Sequence, residues 1–371
     1  VRTPIAQFHS SSYEMYEPYG VSLIIAPWNY PFMLAIDPLV GAIAAGNCSI
    51  IKTSEYAPAT SKVIQKIISE QFPSEYMAVI EGGVEETTEL LNQKLDYIFF
   101  TGSVHIGKII MQAATKNLTP VTLELGGKSP CIVEKTADLE LAAKRILFGK
   151  ILNAGQTCVA PDYILVQKEI REPFVEELKK QIKRFLGGDA LKNEDYPKMI
   201  HTRQYERVKE LIKNQKILLG GKWDDNTRKI EPILLDEPDA NSLVMQEEIF
   251  GPILPILSFQ EIEDAIEFVR KREKPLACYL FTSNKKVEKE ILSNLSFGGG
   301  CINDTIIHLA SNHLGFGGVG QSGMGSYHGK KSFLTFSHEK SIVKKYTWID
   351  LPMRYLPYSK AKLKMVKMFL R

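Results

Sequence analysis

The segment 97–108 reads YIFFTGSVHIGK. Its first five residues form a short, mostly apolar run of the kind that builds a buried strand, and Gly102 ends that run. A helical pattern follows from Lys108 to Ala114, so the segment predicts a strand, a tight turn and a helix. The turn presents backbone N–H groups at a helix N-terminus, where a pyrophosphate could bind. The glycines are not spaced as Gly-x-Gly-x-x-Gly, so these residues alone leave dinucleotide binding open.

The same alternation of strand and helix extends on both sides of this segment, across 20–127. Apolar runs bounded by Gly, Pro, Asn or Ser predict buried strands at 21–26, 49–52, 77–81, 97–101 and 121–125. Amphipathic patterns lie between them, for example at 63–72. Alternation of this kind predicts a parallel sheet with helices on both faces and a ligand site at the carboxyl ends of the strands. We therefore assign 20–127 to one α/β domain.

A second α/β region is predicted at 128–337. Its strands are expected at 131–133, 163–166, 253–258, 278–281 and 300–303, and its helices at 139–152, 171–186, 203–213 and 262–272. Two extended polar stretches, Ala6 to Pro18 and Ser341 to Trp348, have no core face of their own. We expect them to be arms that pair with something else, such as a second subunit, within arm regions 1–19 and 338–350. The rest of the chain, 351–371, is a basic tail.

The charge of the chain gives no sign of a nucleic-acid partner. The 371 residues carry 46 basic and 43 acidic side chains, a net charge of +3. Six of the cations lie in the tail without an acid among them, so the rest of the chain has a small negative net charge. A body of that charge is not the basic surface that nucleic acid requires.

The cysteines indicate a reducing compartment. They number five and are scattered at Cys48, Cys131, Cys158, Cys278 and Cys301, which is not the pattern of a disulfide framework. No signal peptide is visible, and no apolar run is long enough to span a bilayer. We therefore expect a cytoplasmic protein.

One of these cysteines is a candidate nucleophile. Cys158 lies in the run NAGQTCVAP at 153–161, directly after the amphipathic stretch 139–152. Small and polar neighbours predict a loop, where a substrate could reach the thiol. Most single cysteines are instead buried and inert, so the residue alone favours that plainer interpretation.

Six segments occur in an order that is typical of one family. They are PWNYPF at 27–32, KTSE at 52–55, FTGSVHIGK at 100–108, ELGGKSP at 124–130, the run around Cys158, and QEEIFGP at 246–252. Together they resemble the aldehyde dehydrogenase superfamily. The closing FGGVGQSGMGSYHGKK at 316–331 is similar to its class 3 branch, which includes the fatty aldehyde dehydrogenases. The resemblance implies a Rossmann-type cofactor domain at 20–127, an α/β catalytic domain at 128–337 and a small β oligomerisation arm.

The resemblance also implies a catalytic set of three residues. Cys158 would attack the aldehyde, because a thiolate is nucleophilic near neutral pH and leaves readily from a thioester. The Asn29 amide and the Cys158 backbone N–H would hold the oxyanion. Glu124 would be the general base that activates water and would also be able to deprotonate the thiol. Without the family, Asn29 is more simply a turn residue, and Glu124 a solvent-facing glutamate at a strand end.

The cofactor implied by the resemblance is NAD, with NADP as an alternative. Lys52 and Glu55 would hold the adenosine ribose, although Thr53 stands where most relatives have proline. Glu248 would bind the nicotinamide ribose, and Phe250 would pack near the ring; the plainer interpretation of Glu247 and Glu248 is a solvated acidic pair. The remaining cofactor-binding residues would be Trp28, Gly102, Ser103, Val104 and Gly107. No metal site is expected.

Three functions remain open at this point. The first is NAD(P)-dependent oxidation of a small-molecule aldehyde, medium- or long-chain aliphatic or aromatic, by a homodimer. The second is an acyl-phosphate or acyl-thioester reductase, which needs the thiol but no water-activating base; Glu124 argues against it. The third is a dinucleotide-binding scaffold without turnover. It is suggested only by the absence here of the helical segment that precedes the arm in relatives.

The tail has two interpretations. As a helix from Ser359, it places Lys360, Lys364, Lys367 and Arg371 on one face, with apolar side chains over most of the rest. It could pack on its own domain or on a partner subunit. It could also be a basic amphipathic helix making peripheral contact with an anionic membrane, since it is too short to span one.

Overall fold

A computed structural model describes residues 1–4, 7 and 9–369, with the side chain of Phe369 excluded. Ala6, where the first arm was expected to begin, lies outside the described residues. Leu370 and Arg371, at the end of the predicted tail helix, also lie outside them. Every structural statement below concerns the described part of the chain.

The first unit is a six-stranded sheet flanked by four helices. Its strands are β2 (Val21–Ile25), β3 (Cys48–Lys52), β4 (Met77–Ile80), β5 (Tyr97–Thr101), β6 (Val121–Glu124) and β16 (Gly323–Met324), in the order β16-β6-β5-β2-β3-β4. The helices are α1 (Met33–Ala45), α2 (Pro58–Gln71), α3 (Val84–Asn92) and α4 (Val104–Ala114). The five strands predicted from the sequence are parallel, as expected. The sixth, β16, was missed; it runs antiparallel to β6.

The second unit is a seven-stranded sheet. Its strands are β7 (Pro130–Val133), β8 (Tyr163–Gln167), β9 (Ile217–Leu219), β12 (Ile233–Asp236), β13 (Ile253–Phe259), β14 (Ala277–Phe281) and β15 (Gly299–Ile302), in the order β15-β14-β7-β8-β13-β12-β9. Its helices are α5 (Leu139–Ile151), α6 (Arg171–Leu186), α7 (Thr202–Leu211), α8 (Leu243–Gln246), α9 (Ile262–Arg270) and α10 (Lys285–Asn294). A small hairpin, β10 (Trp223–Asp224) with β11 (Lys229–Ile230), stands apart from it. The prediction of an α/β fold is confirmed.

The two arms pair with each other. β1 (Ser10–Pro18) and β17 (Ser337–Lys345) form an antiparallel ribbon from Ser10 opposite Lys345 to Pro18 opposite Ser337. The arms are therefore each other's partners, and contact of this ribbon with a second subunit stays a prediction. The sequence could not show this pairing, because more than 300 residues separate two polar strands that carry no apolar pattern to mark their register.

Asn47 ties the end of the second unit to the first. It is fully buried, and its side-chain oxygen accepts a hydrogen bond from the Gly20 N–H at 3.1 Å. Its amide donates to the Phe336 carbonyl at 2.8 Å. Phe336 follows α11 (Lys330–Thr335), which packs on α1. Residues 323–336 thus lie on the first unit although the sequence placed them in the second.

Candidate active site

The candidate nucleophile lies on a tight turn after α5. The helix ends at Ile151, and a 3₁₀ turn, Leu152–Gly155, leads to Cys158. Asn153 and Ala154 have φ of 50° and 51°, and Gly155 has φ of 75°. A Cβ on Gly155 would lie 2.3 Å from the Gly251 carbonyl oxygen, so only glycine fits this close approach. The chain after α5 is therefore forced into a compact turn that presents the thiol.

Cys158 is half-buried. Some of its neighbours favour the neutral thiol, and others favour the thiolate. Burial, together with the nearby carboxyl groups of Glu248 and Glu124, raises the pKa of its thiol to about 12. The backbone N–H groups of Cys158 and Val159 act in the opposite direction and favour the thiolate. The structure thus brings the predicted nucleophile, the predicted base and the predicted ribose-binding carboxylate into one site.

Asn29 and the residue after it are anchored to the Cys158 turn. The Asn29 amide donates to the Gln156 carbonyl at 3.1 Å, and the Asn153 amide donates to the Asn29 carbonyl at 3.0 Å. The Tyr30 hydroxyl and the Thr157 hydroxyl lie 2.7 Å apart. An amide nitrogen carries two N–H groups, so Asn29 keeps one for a substrate oxygen. Sequence reasoning missed Tyr30, although it lies inside a quoted motif.

Glu124 is a buried carboxyl group without a hydrogen-bond partner in the described residues. It ends β6, and only 2% of it is exposed. Neither of its carboxyl oxygens is paired in the described residues. Burial alone raises the pKa of this carboxyl group well above its usual value. An unpaired acid next to a thiol is costly to bury, which is typical of a functional group rather than of a structural one.

The turn after β5 has the form of a phosphate site. Ser103 caps α4: its hydroxyl accepts a hydrogen bond from the Ile106 N–H at 3.4 Å, and Val104 begins the helix. The first turn of a helix leaves N–H groups without intrahelical partners, and these suit an anion. A Cβ on Gly107 would lie 2.6 Å from the Leu125 side chain, so this glycine lets α4 pack closely beside β6. Gly102 donates its N–H to the Glu124 carbonyl at 2.9 Å.

Lys52 and Glu55 lie at the carboxyl end of β3. The Lys52 amine is buried and donates to the carbonyls of Thr53 and Gly82, both at 2.6 Å. Its pKa is lowered by burial, against the opposing effect of the Glu55 and Glu86 carboxylates. Glu55 is exposed. A fixed cation and a solvated carboxylate are both available to ribose hydroxyls at this strand end.

The loop that carries Glu248 and Phe250 faces this site. A Cβ on Gly126 would lie 2.0 Å from the Glu248 Oε2, so the carboxyl group sits directly against the backbone that follows Glu124. Burial, together with the nearby Asp162, raises the pKa of Glu248 to about 8. The Phe250 ring packs edge-on against Trp28, with centroids 5.4 Å apart. Glu247 is exposed, as the plainer interpretation expects, whereas Glu248 is half-buried and lies against Gly126.

The arrangement fits a dinucleotide. A helix N-terminus is available for the pyrophosphate, a lysine and two glutamates for the two riboses, and aromatic rings beside them. A model of the aldehyde dehydrogenase family matches residues 2–342. This chain belongs to that family.

Individual aldehyde dehydrogenases are similar along most of their length. Aldehyde dehydrogenase family 3 member A2 of Rattus norvegicus is 49% identical over 361 residues, covering 97% of this chain and 75% of that protein. The dimeric NADP-preferring aldehyde dehydrogenase of Rattus norvegicus is 53% identical over 329 residues, covering 89% of this chain and 73% of that protein. A solved structure, the substrate-bound state of Staphylococcus aureus AldH, has a TM-score of 0.97 at 50% identity and covers 100% of this chain and 81% of that chain. The resemblance to the class 3 branch is confirmed.

No group of three or more His, Cys, Asp or Glu residues in 1–4, 7 and 9–369 is arranged to hold a metal ion. Within the same residues, no helix is both long enough and apolar enough to cross a membrane.

The raised thiol pKa predicts how Cys158 responds to pH. Only the thiolate is alkylated. With a pKa of about 12, the thiolate fraction of the cofactor-free protein should rise about tenfold per pH unit from pH 7 to pH 10. The rate of iodoacetamide labelling of the Cys158 peptide, followed by mass spectrometry, should rise in proportion. The peptide of the half-buried Cys48 provides an internal comparison. A labelling rate that levels off below pH 9 contradicts the description of the site.

Proposed function

We propose that this chain oxidises aldehydes to carboxylic acids with NAD(P), through a covalent adduct on Cys158. The observation that carries the proposal is the meeting of a thiol, two backbone N–H groups and an unpaired buried carboxyl group at one point. Each of these groups corresponds to one requirement of the reaction: a nucleophile, a place for developing negative charge, and a base for water.

In the first half-reaction, the Cys158 thiol releases its proton to solvent, and the thiolate sulfur adds to the aldehyde carbon to give a thiohemiacetal. The carbonyl oxygen becomes an oxyanion, which the Asn29 amide and the Cys158 N–H stabilise by hydrogen bonds. When bound, NAD(P) supplies the acceptor for the hydride that leaves this carbon. Loss of the hydride converts the adduct on Cys158 to a thioester.

In the second half-reaction, Glu124 takes a proton from water as the water attacks the thioester carbon. The bond between that carbon and the Cys158 sulfur breaks, and the carboxylic acid is released. A base with a raised pKa is matched to this task near neutral pH. The buried carboxyl group favours hydrolysis over the alternative function, reduction of an acyl phosphate or acyl thioester, which needs no such base. The third function, a scaffold without turnover, gives no role to an unpaired Glu124.

Two substitutions separate the half-reactions. Cys158→Ala should abolish aldehyde oxidation while leaving NADH binding close to normal, because the thiol lies apart from the turn at Ser103. Glu124→Gln should lower the steady-state rate by about 10²–10⁴-fold, the usual contribution of a general base. It should retain a rapid burst of roughly one NADH per subunit, because acylation precedes the slowed step. Stopped-flow absorbance measures both phases, and substantial turnover by Cys158→Ala would refute the mechanism.

The cofactor residues are proposed as Lys52 and Glu55 for the adenosine ribose, with Ser103, Val104, Gly102 and Gly107 at the pyrophosphate. Glu248, Phe250 and Trp28 are proposed for the nicotinamide end. We propose NAD as the preferred cofactor, because a 2′-phosphate would be repelled by the Glu55 carboxylate. One similar protein is named NADP-preferring, so the preference is expected to be modest.

Comparison of the two dinucleotides tests this assignment. Glu55 is exposed, and a total repulsion of about 1 kcal/mol in water predicts a kcat/KM about fivefold higher for NAD than for NADP. Glu55→Gln should bring the two values close together. Steady-state kinetics at fixed aldehyde concentration gives both ratios. A wild-type ratio that favours NADP would overturn the proposed preference.

We propose apolar aldehydes, medium- or long-chain aliphatic or aromatic, as the substrate class. The phenol groups of Tyr30, Tyr279 and Tyr327 all lie close enough to Cys158 to interact with it electrostatically. Tyr279 and Tyr327 are fully buried, and Tyr279 donates its hydroxyl hydrogen to the Val159 carbonyl. Tyr30 is partly exposed, and an aromatic ring at that position suits an apolar chain next to the reacting carbonyl.

We further propose domains at 20–127 and 128–337, with residues 323–336 of the second packed on the first. An arm of 1–19 with 338–350 would support a homodimer, and 351–371 would be a tail. The ribbon of β1 and β17 has exposed apolar side chains, among them Met15 and Val343, which a second subunit would cover. A reducing cytoplasmic location is supported by the five cysteines, all of which are free.

The tail is proposed to make peripheral contact with an anionic membrane. α12 (Lys360–Phe369) exposes Leu363, Met365 and Met368, with 55%, 40% and 67% of each residue accessible. Lys362 instead donates to the carbonyls of Tyr355 and Pro357, both at 2.9 Å, and so caps the preceding turn. Exposed apolar and basic side chains on one helix are typical of a surface-bound amphipathic helix.

Vesicle sedimentation tests this contact. The intact chain should sediment with vesicles that contain phosphatidylserine at low salt, and each removed cation should weaken binding by about 1 kcal/mol. The triple variant Lys360→Gln, Lys364→Gln, Lys367→Gln keeps the apolar residues and should remain largely in the supernatant. Vesicles of phosphatidylcholine alone are the control. If the intact chain never sediments, the helix has another role.

A further inference from the structure

The loop that carries Glu248 and Phe250 is held in place by contacts with other parts of the chain. Residues 247–250 follow the short helix α8 and contain no helix or strand. Phe250 has φ of 48°, a left-handed conformation that is unfavourable for a bulky side chain. A strained conformation of this kind persists only where the surroundings fix it. The contacts of the loop show what fixes it.

One side of the loop is held by a buried ion pair. The Lys128 amine donates to the carbonyls of Val244 and Glu247, both at 2.8 Å. The same amine forms an ion pair with Asp162, and the two side chains are 10% and 5% exposed. The other oxygen of Asp162 accepts the Ile249 N–H at 3.0 Å. Two charged side chains thus bind three backbone groups within or beside the loop.

The other side of the loop is held from α7. The Arg207 guanidinium donates to the Glu248 carbonyl at 3.1 Å and also to the Ile249 carbonyl. Gln204, one turn earlier, donates to the Phe250 carbonyl at 2.9 Å and accepts a hydrogen bond from Arg207 at 3.0 Å. Every carbonyl from 247 to 250 therefore accepts a hydrogen bond from Lys128, Arg207 or Gln204.

The ion pair also joins the catalytic segments to this loop. Lys128 lies four residues after Glu124, and Asp162 lies four residues after Cys158. Each is therefore carried by the stretch of chain that leaves a proposed catalytic residue. A displacement of either stretch would be transmitted to Glu248 through charged hydrogen bonds, which are about twice as strong as neutral ones.

We propose that Lys128, Asp162, Arg207 and Gln204 form a clamp that sets the position of Glu248 for dinucleotide binding. These four are positioning residues, since they act on the loop backbone and leave the Glu248 carboxyl group free to face Gly126. The inference rests on the proposed role of Glu248 at the nicotinamide ribose. It predicts that damage to the clamp weakens the dinucleotide site and spares the aldehyde site.

Arg207→Met tests the outer side of the clamp. Loss of its charged hydrogen bonds should raise KM for NAD, and Kd for NADH measured by fluorescence titration, by about tenfold. The KM for the aldehyde should stay within about twofold of wild type, because the clamp residues form no hydrogen bond with Asn29 or Cys158 among the described residues. Arg207→Lys retains the charge but cannot bind two carbonyls in a fork, so it should restore only part of the affinity. Arg203→Met, an exposed position on the same helix, is the matched control.

Asp162→Asn tests the inner side independently. The amide oxygen can still accept the Ile249 N–H, while the ion pair is lost, so the same selective rise in KM for NAD and Kd for NADH is expected. Thermal unfolding of each variant reports the structural cost. If both variants lose thermal stability but keep wild-type KM for NAD and Kd for NADH, the clamp has no positioning role and the inference is overturned.

The variant Glu248→Gln distinguishes a failure of the proposed role of Glu248 from a failure of the clamp inference alone. If its Kd for NADH is unchanged, the proposed role of Glu248 fails, and the clamp inference fails with it. If Glu248→Gln weakens NADH binding while Arg207→Met and Asp162→Asn do not, only the clamp inference fails. Weaker binding in all three, with the aldehyde KM preserved in the two clamp variants, supports both.

Discussion

The pairing of Gly323 with Glu124 is the contact on which the rest of the site depends. Without β16, β6 would be the edge of the first sheet, and its last residue would face solvent. Gly323 has φ of 141°, and a Cβ there would lie 2.2 Å from the Leu123 carbonyl oxygen, so glycine is required for this approach. The two-residue strand covers Glu124 and begins the path that brings Tyr327 and Phe336 onto the first unit.

Because β16 covers the end of β6, three ionisable groups that are costly to bury, Glu124, Glu248 and Cys158, can lie close together. Each of Glu124, Glu248 and Cys158 is harder to ionise here than in water, because burial removes solvent from the charged form. A structural core would pair such groups or exclude them. The site instead provides the backbone N–H groups of Cys158 and Val159. These stabilise negative charge at the place where the proposed oxyanion or thiolate would form.

The sequence predicts the buried strands well and the distant pairings poorly. The run 97–101 coincides with β5, because an apolar stretch bounded by Gly marks its own ends. β16 has two residues in a glycine-rich stretch, so it has no pattern to detect, and its partner is about 200 residues away. Cys158, Glu124 and Glu248 could be identified because they lie in family motifs. Arg207 could not be identified in this way, because it binds backbone carbonyls. Every residue type has a backbone carbonyl, so the sequence does not mark the partner of Arg207.

The separation of motif residues from positioning residues follows from the chemistry of the contacts. A nucleophile or a base must be one residue type, so its identity is visible in the sequence. A loop such as 247–250 needs only donors of suitable reach, and those come from α7, from the stretch after Glu124 and from the stretch after Cys158. The segments that carry Glu124 and Cys158 are therefore linked through contacts of side chains with backbone, and such contacts cannot be recognised from the sequence alone. Because Lys128 and Asp162 are buried together, removing either charge leaves the other without its partner. The geometry of the proposed dinucleotide site and the stability of the second unit thus both depend on the Lys128–Asp162 ion pair.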